Sequence, residues 1–146
     1  MATAVNDRLS ARNQIRGTVA GLTAGQAVTH VTITVGESRL ASIITNDAAK
    51  ELDLKPNDRV VAVVKATEVM LLKGNADQIK ISARNRLPGQ ITDVQRGAAM
   101  SSVAIQTGSC VLHAAITREA VEDLQLNKGE RVTAVFKATE VMLQKE

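Results

Sequence analysis

The stretch Lys65-Ala66-Thr67-Glu68-Val69-Met70-Leu71 is spelled again, residue for residue, at Lys137-Ala138-Thr139-Glu140-Val141-Met142-Leu143. That recurrence sets the layout of the chain, because self-similarity at one fixed offset marks tandem units. At the same offset of 72 residues, Ser10-Ala11-Arg12-Asn13 falls on Ser82-Ala83-Arg84-Asn85. Gly17, Gly25 and Gly36 fall on Gly89, Gly97 and Gly108, Ile44-Thr45 on Ile116-Thr117, and Leu52 and Leu54 on Leu124 and Leu126. No gap is needed. The chain divides into an N-terminal extension (1–8), a first copy (9–72), a joint (73–80) and a second copy (81–146). The joint holds the polar, glycine-bearing run Lys73-Gly74-Asn75-Ala76-Asp77-Gln78.

Each copy reads mainly as strand. Ile15 to Leu22 is the first strand, with Gly17 as a bulge or a point of close backbone approach. Val28 to Val35 alternates, Val31, Ile33 and Val35 on one face and His30, Thr32 and Thr34 on the other. Gly36-Glu37-Ser38 is a turn, and Arg39 to Ile44 returns as a third strand. Ala48, Ala49, Leu52 and Leu54 then switch to a helical period, predicting one short helix that ends before Pro56. Val60 to Val64 and Glu68 to Leu72 complete the order β-β-β-α-β-β. The second copy repeats it through Val103 and Ile105, Leu112 to Ile116, a helix near Glu119 to Leu124, and Val132 to Phe136. The predicted fold class is all-β, two tandem OB-like five-stranded barrels with one short helix each.

Composition narrows the function classes. The 146 residues are 45% hydrophobic and 23% charged, with a net charge of +3, which excludes general disorder. No apolar run reaches the roughly 20 residues of a membrane helix, and the first residues lack a signal-peptide core. The single cysteine, Cys110, fits a reducing compartment, and the expected location is cytoplasmic. Aromatic residues are 1%, a lone Phe136, so the stacking platforms of single-strand nucleic-acid binders are missing. Basic residues are interspersed with acids rather than gathered in a patch. A copy of about 65 residues is marginal by itself, which points to association as a further source of stability.

Enzyme apparatus is not visible in the sequence. His30 and His113 occupy non-equivalent positions, no HxxxH or CxxC exists for a transition-metal cation, and no phosphate-loop, dinucleotide or GxSxG motif occurs. Cys110 and His113 fall on one predicted strand with opposite faces, which argues against a nucleophile pair. The doubled segments are chemically coherent instead. Ser hydroxyl, Arg guanidinium, Lys ammonium, Thr hydroxyl and loop N–H groups are all donors, the set that suits a small oxyanion. Thr45 and Thr117 precede the helices, where unpaired N–H groups favour an anion, although both are equally good helix N-caps. Lys65 and Lys137 read alternatively as solvated turn residues, Arg12 as an ion-pair partner of Glu68 or Asp58, and Met70 and Met142 as core fillers.

These residues carry a resemblance. Ser-Ala-Arg-Asn-Gln-Ile-Arg-Gly at 10–17, Ile-Ile-Thr-Asn at 43–46 and Val-Lys-Ala-Thr-Glu-Val-Met at 64–70 resemble the Mop domain of molybdate-binding proteins. Ser-Ala-Arg-Asn-Arg-Leu-Pro-Gly at 82–89 and Phe-Lys-Ala-Thr-Glu-Val-Met at 136–142 repeat the match. Two such domains in tandem are similar to the di-Mop form of the molbindins. The resemblance implies an OB-like fold in a homotrimer that holds molybdate or tungstate at subunit and domain interfaces, for intracellular storage and homeostasis. It implies one site from Ser10, Arg12, Thr45, Lys65 and Ala66, and its counterpart from Ser82, Arg84, Thr117, Lys137 and Ala138. With Ser-Ala-Arg-Asn and Lys-Ala-Thr expected at opposite ends of a copy, a shared site joins two domains or subunits. A second site class of the family falls on Ala27, Val28 and His30, with Ala99, Met100 and Ser102 opposite. The differences Gln14/Arg86 and Arg16/Pro88 predict unequal binding by the halves. No catalytic residue, cofactor, metal cation, membrane or nucleic-acid partner is expected. The alternatives are a nucleic-acid-binding OB protein and the ligand-sensing module of a molybdate-responsive regulator.

Overall fold

The computed structural model describes residues 8–74, 79–108 and 110–146; residues 1–7 of the expected extension and 75–78 of the expected joint lie outside the described residues. The first half contains β1 (Asn13–Ala24), β2 (Val28–Val35), β3 (Ser38–Thr45), α1 (Asn46–Glu51), β4 (Arg59–Val64) and β5 (Met70–Lys73). The second contains β6 (Asn85–Arg96), β7 (Met100–Thr107), β8 (Cys110–Thr117), α2 (Arg118–Asp123), β9 (Arg131–Phe136) and β10 (Met142–Lys145). The fold is nearly all-β, two curled five-stranded sheets of OB-like order, as the periodicity predicts.

Local chemistry accounts for the elements. In β2 the alternation buries Val31 and Ile33 and leaves Thr32 and Thr34 partly exposed. Strand β1 pairs with β4 through Asn13–Thr18 and with β2 through Thr18–Ala24, so one long strand serves two neighbours. A bulge between Val19 and Gly21 falls in its β2-paired part, and an extra residue there adds the twist that curls the sheet. Gly17 is the close approach: a Cβ there would stand 2.6 Å from Ile33 Cγ2 and 2.8 Å from the Thr34 carbonyl oxygen. Its counterpart Gly89 is tighter, with the Gln106 carbonyl oxygen 2.4 Å from such a Cβ. Thr45 and Thr117 cap the helices, each Oγ1 accepting from the amide three residues on, at 3.1 Å.

The sheets exchange their last strands. Their orders are β10-β4-β1-β2-β3 and β5-β9-β6-β7-β8, so β5 completes the second half's sheet and β10 the first's. The Glu68–Leu72 segment read as one strand begins instead as a 3-10 turn, Ala66–Glu68, and turns extended only at Met70. This turn, with Val69 buried behind it, carries the chain across. The sequence leaves the exchange undecided because Met70-Leu71 and Met142-Leu143 offer the same residues to either sheet. The exchange fuses the interiors: one contiguous core contains Ile15, Val31, Ile33 and Leu40 together with Leu87, Ile105, Leu112 and Phe136.

Polar bonds pin the same seam. The Asn13 side chain donates Nδ2–H to the His113 carbonyl at 2.8 Å and accepts the His113 N–H at 2.7 Å. Asn85 does the same with Ala41, at 2.9 and 2.7 Å. Each asparagine is 1% exposed and extends the outer edge of the other half's third strand. Ser42 adds a hydroxyl bond to the Val141 carbonyl at 2.6 Å.

Candidate functional site

The register between β1 and β4 corrects one sequence expectation. Asn13 pairs with Val64, so one step outward Arg12 stands beside Lys65 at the same end of one half. Asn85 likewise pairs with Phe136, which sets Arg84 beside Lys137. Ser-Ala-Arg-Asn and Lys-Ala-Thr are therefore neighbours within a copy, because antiparallel pairing returns the end of β4 to the start of β1. Each pair of cations sits on the seam between halves, since the adjoining asparagine is bonded across it.

The surroundings suit an anion. Ser10, Arg12 and Lys65 are exposed, and so are Ser82, Arg84 and Lys137. Among the described residues Arg12, Lys65 and Lys137 make no ion pair; the Asp58 carboxylate, an alternative partner for Arg12, takes Lys145 at 3.3 Å. Ala66 and Ala138 open the 3-10 turns, and the leading N–H groups of such a turn have no partner inside it. A methyl side chain offers no hydrogen bond, so the main-chain N–H is what an alanine can contribute. The halves differ in detail, since Arg84 Nε donates to the Ser82 carbonyl at 3.3 Å and Ala138 is buried where Ala66 is half-buried.

Thr45 and Thr117 are not brought into these clusters. In sheet order β3 lies three places from β4, and Thr45 is four residues beyond Ala41, ~13 Å along the strand from the Asn85 contact. Each threonine is exposed and spends an oxygen lone pair on its cap, which leaves the hydroxyl hydrogen free to donate. The cationic side chains of each cluster are exposed. A groove of about 630 Å³ beside β6 and β9, lined by Arg86, Gln90, Gln106 and Arg131 among others, contains none of the cluster residues.

At the second expected site class, the Ala27 carbonyl accepts the Asn46 N–H at 3.0 Å, and the Thr29 hydroxyl bonds Asn46 Oδ1 at 2.7 Å. The Ala99 carbonyl accepts the Arg118 N–H at 2.9 Å, but Arg118 turns its side chain to Glu122. Ser101, the counterpart of Thr29, is left with a buried Oγ that has no partner among the described residues. Val28 and Met100 are exposed, and His30 and Ser102 are half-buried at equivalent places.

Sequence reasoning missed His113. The burial alternation of β8 turns Cys110, Leu112 and Ala114 inward and leaves His113 half-buried on the opposite face, while its main-chain groups meet Asn13 of the first half. Burial and the Arg12 guanidinium together hold its imidazole below the ordinary histidine pKa. Cys110 is buried, and desolvation raises its thiol pKa, which suits a structural side chain. Among the described residues no group of three His, Cys, Asp or Glu side chains is gathered that could hold a metal ion. No helix among them is long and apolar enough to cross a membrane.

Fold and seam together define a tandem, strand-exchanged OB-like protein with two mirrored, unneutralised donor clusters. The chain belongs to the TOBE domain family, whose model matches it twice, over residues 9–71 and 81–143. It is 35% identical over 138 residues to the molybdenum transport protein ModE of Herbaspirillum seropedicae, covering 93% of this chain and 51% of that one. It is 37% identical over 139 residues to the molybdenum-pterin-binding protein MopA of Rhodobacter capsulatus, covering 93% of this chain and 52% of that one. The chain thus spans about half the length of these curated relatives. Among solved structures it resembles the cytoplasmic molybdate-binding protein ModG with molybdate bound, at a TM-score of 0.89 and 36% identity, covering 93% of this chain and 97% of that one.

Proposed function

We propose that the chain binds molybdate, and tungstate with it, at the seams where Arg12 meets Lys65 and Arg84 meets Lys137, serving intracellular storage and homeostasis of the oxyanion without catalysis. The observation that carries this reading is the register that gathers two cations and the head of a 3-10 turn at one place in each half. The likeness to a structure holding molybdate supports the choice of ion. The same likeness supports a cytoplasmic location.

Selectivity follows from the donor set. Molybdate at neutral pH is a tetrahedral dianion without a proton, so a pocket of donors satisfies every oxygen. Hydrogenphosphate carries a proton that would face a donor, costing ~1–3 kcal/mol if left buried and unpaired. Sulfate has no such proton and is discriminated by size, since a cage cut for the larger ion stretches its bonds. A second subunit covers the exposed cations of each cluster and supplies Thr45 or Thr117, the donors that a single chain holds apart. Exposed Val28, Met70, Met100 and Met142 give such a subunit apolar surface to cover, consistent with a homotrimer.

Calorimetric titration with molybdate, alongside the mass in solution, tests this reading. Lys65→Ala and Lys137→Ala are each expected to weaken one class of sites by tenfold or more, the effect of losing a charge-assisted hydrogen bond of ~1.5–3 kcal/mol. Unchanged stoichiometry and affinity in both variants would overturn the assignment.

A further inference from the structure

The two clusters are mirrored in main chain but not in side chain. Asn13, next to Arg12, is clamped by both main-chain groups of His113, whereas Asn85, next to Arg84, is clamped by both of Ala41. An imidazole thus stands at the first seam where the second has a methyl group. We infer that His113 is a specificity-determining member of the Arg12–Lys65 site, donating an N–H toward the bound dianion, so that this site takes up a proton with its ion while the Arg84–Lys137 site does not. The inference rests on the oxyanion reading of the seams and deepens it.

The groups around His113 support this. From the first half, the lead into β1 brings Arg12, the 3-10 turn brings Lys65 and Glu68, and β5 brings Lys73. Lys73 is turned away, its Nζ donating to the Leu124 carbonyl at 2.8 Å. Within its own half, β7 places the uncharged Ala104 opposite His113, and the charges of α2 (Arg118, Glu119, Glu122 and Asp123) follow the far end of β8. With the seam empty, burial disfavours a proton on the ring, and the Arg12 guanidinium adds to this by repelling it. A dianion between Arg12 and Lys65 reverses the local sign and favours the imidazolium, which has N–H donors on both ring nitrogens. By linkage, what raises the ring's proton affinity on binding must also tighten binding as pH falls.

NMR titration of the full chain's histidine rings, with and without sodium molybdate, reads this directly. His113 is expected to shift its titration upward on saturation, its signal assigned by its loss in His113→Gln. Calorimetry between about pH 6 and 8 should show one class of sites tightening by up to tenfold per pH unit, the limit for one proton, and the other class flat. His113→Gln keeps the main-chain clamp and an N–H but cannot titrate; it should flatten both classes without changing the number of sites. Ala41→His should confer the dependence on the other class. Molybdate uptake with the same pH profile in wild type and His113→Gln, or an unmoved His113 titration, overturns the inference and leaves the oxyanion reading standing. No uptake by wild type at any pH overturns both.

Discussion

Asn13→Ala tests whether the two halves are held as one body by the asparagine clamps. The side chain is 1% exposed and makes two bonds to His113, at 2.8 and 2.7 Å. Two neutral hydrogen bonds contribute about 1–3 kcal/mol net, and an N–H and C=O left without partners add a further penalty. His113 is only half-buried, so water satisfies part of that loss, and the expected destabilisation is ~2–4 kcal/mol. Asn85→Ala should fall in the same range, because Ala41 is held by the same pair of bonds. Asn13→Asp separates hydrogen bonding from size: it keeps an acceptor for the His113 N–H, loses the donor, and faces a carboxylate toward the His113 carbonyl. It should be no better than alanine. Urea unfolding of the ligand-free chain reads these differences at constant slope. Losses below about 0.5 kcal/mol in both alanine variants, or an aspartate as stable as wild type, would refute the clamp.

Three further outcomes follow from the structure. Arg118→Asn should stabilise by ~1 kcal/mol in thermal or urea unfolding, because it restores to the unpartnered Ser101 hydroxyl the acceptor that Asn46 gives Thr29. Gly89→Ala should destabilise by ~1–3 kcal/mol or more, since its Cβ would meet the main-chain oxygen of Gln106 at 2.4 Å. Ligand-free stability should be full above about pH 6.5, the ordinary histidine value, and fall below it. The His113 pKa is depressed in the folded state, so the unfolded chain takes up that proton first. His113→Gln should remove that decline. The Asp58 carboxylate, whose pKa is lowered chiefly by its bond from the Lys55 N–H, acts only below about pH 4.

What was legible in the sequence is what repeats with a local period. Alternation gave β2 its observed bounds, and of the two readings of Gly17, bulge or close approach, the structure displays the second, with the bulge falling between Val19 and Gly21. Thr45 and Thr117 were ambiguous between cap and anion donor because both roles use the residue before a helix. The cap geometry is now explicit, and the free hydroxyl hydrogen leaves the second role open. Three features were illegible because they depend on pairing partners rather than pattern. Identical Met-Leu strands cannot reveal which sheet they join. The adjacency of Arg12 and Lys65 needs the β1–β4 register. His113 gained meaning only once Asn13 was seen to reach it from 100 residues away.

The strand exchange also changes what the doubled segments mean. Retention of Ser-Ala-Arg-Asn and Lys-Ala-Thr-Glu-Val in both copies invites a purely ligand-based explanation, since core positions have drifted among aliphatics. Yet both segments also build the crossover. Asn13 and Asn85 clamp the opposite half, the 3-10 turns redirect the chain between sheets, and Val69 and Val141 are buried where it crosses. Packing alone therefore explains Asn, Val and the turn. It does not explain Arg12, Lys65 and Lys137, which are exposed, meet no carboxylate among the described residues and stand in positions where like charges repel. A crossover brings the ends of β1 and β4 to the surface at the seam, and unneutralised cations there lower stability unless something negative occupies the gap. On the proposed reading, the folding device and the oxyanion site are one structure. An added dianion should raise the unfolding temperature of the wild type more than that of Lys65→Ala, and a ligand that binds only the folded form must do so by mass action.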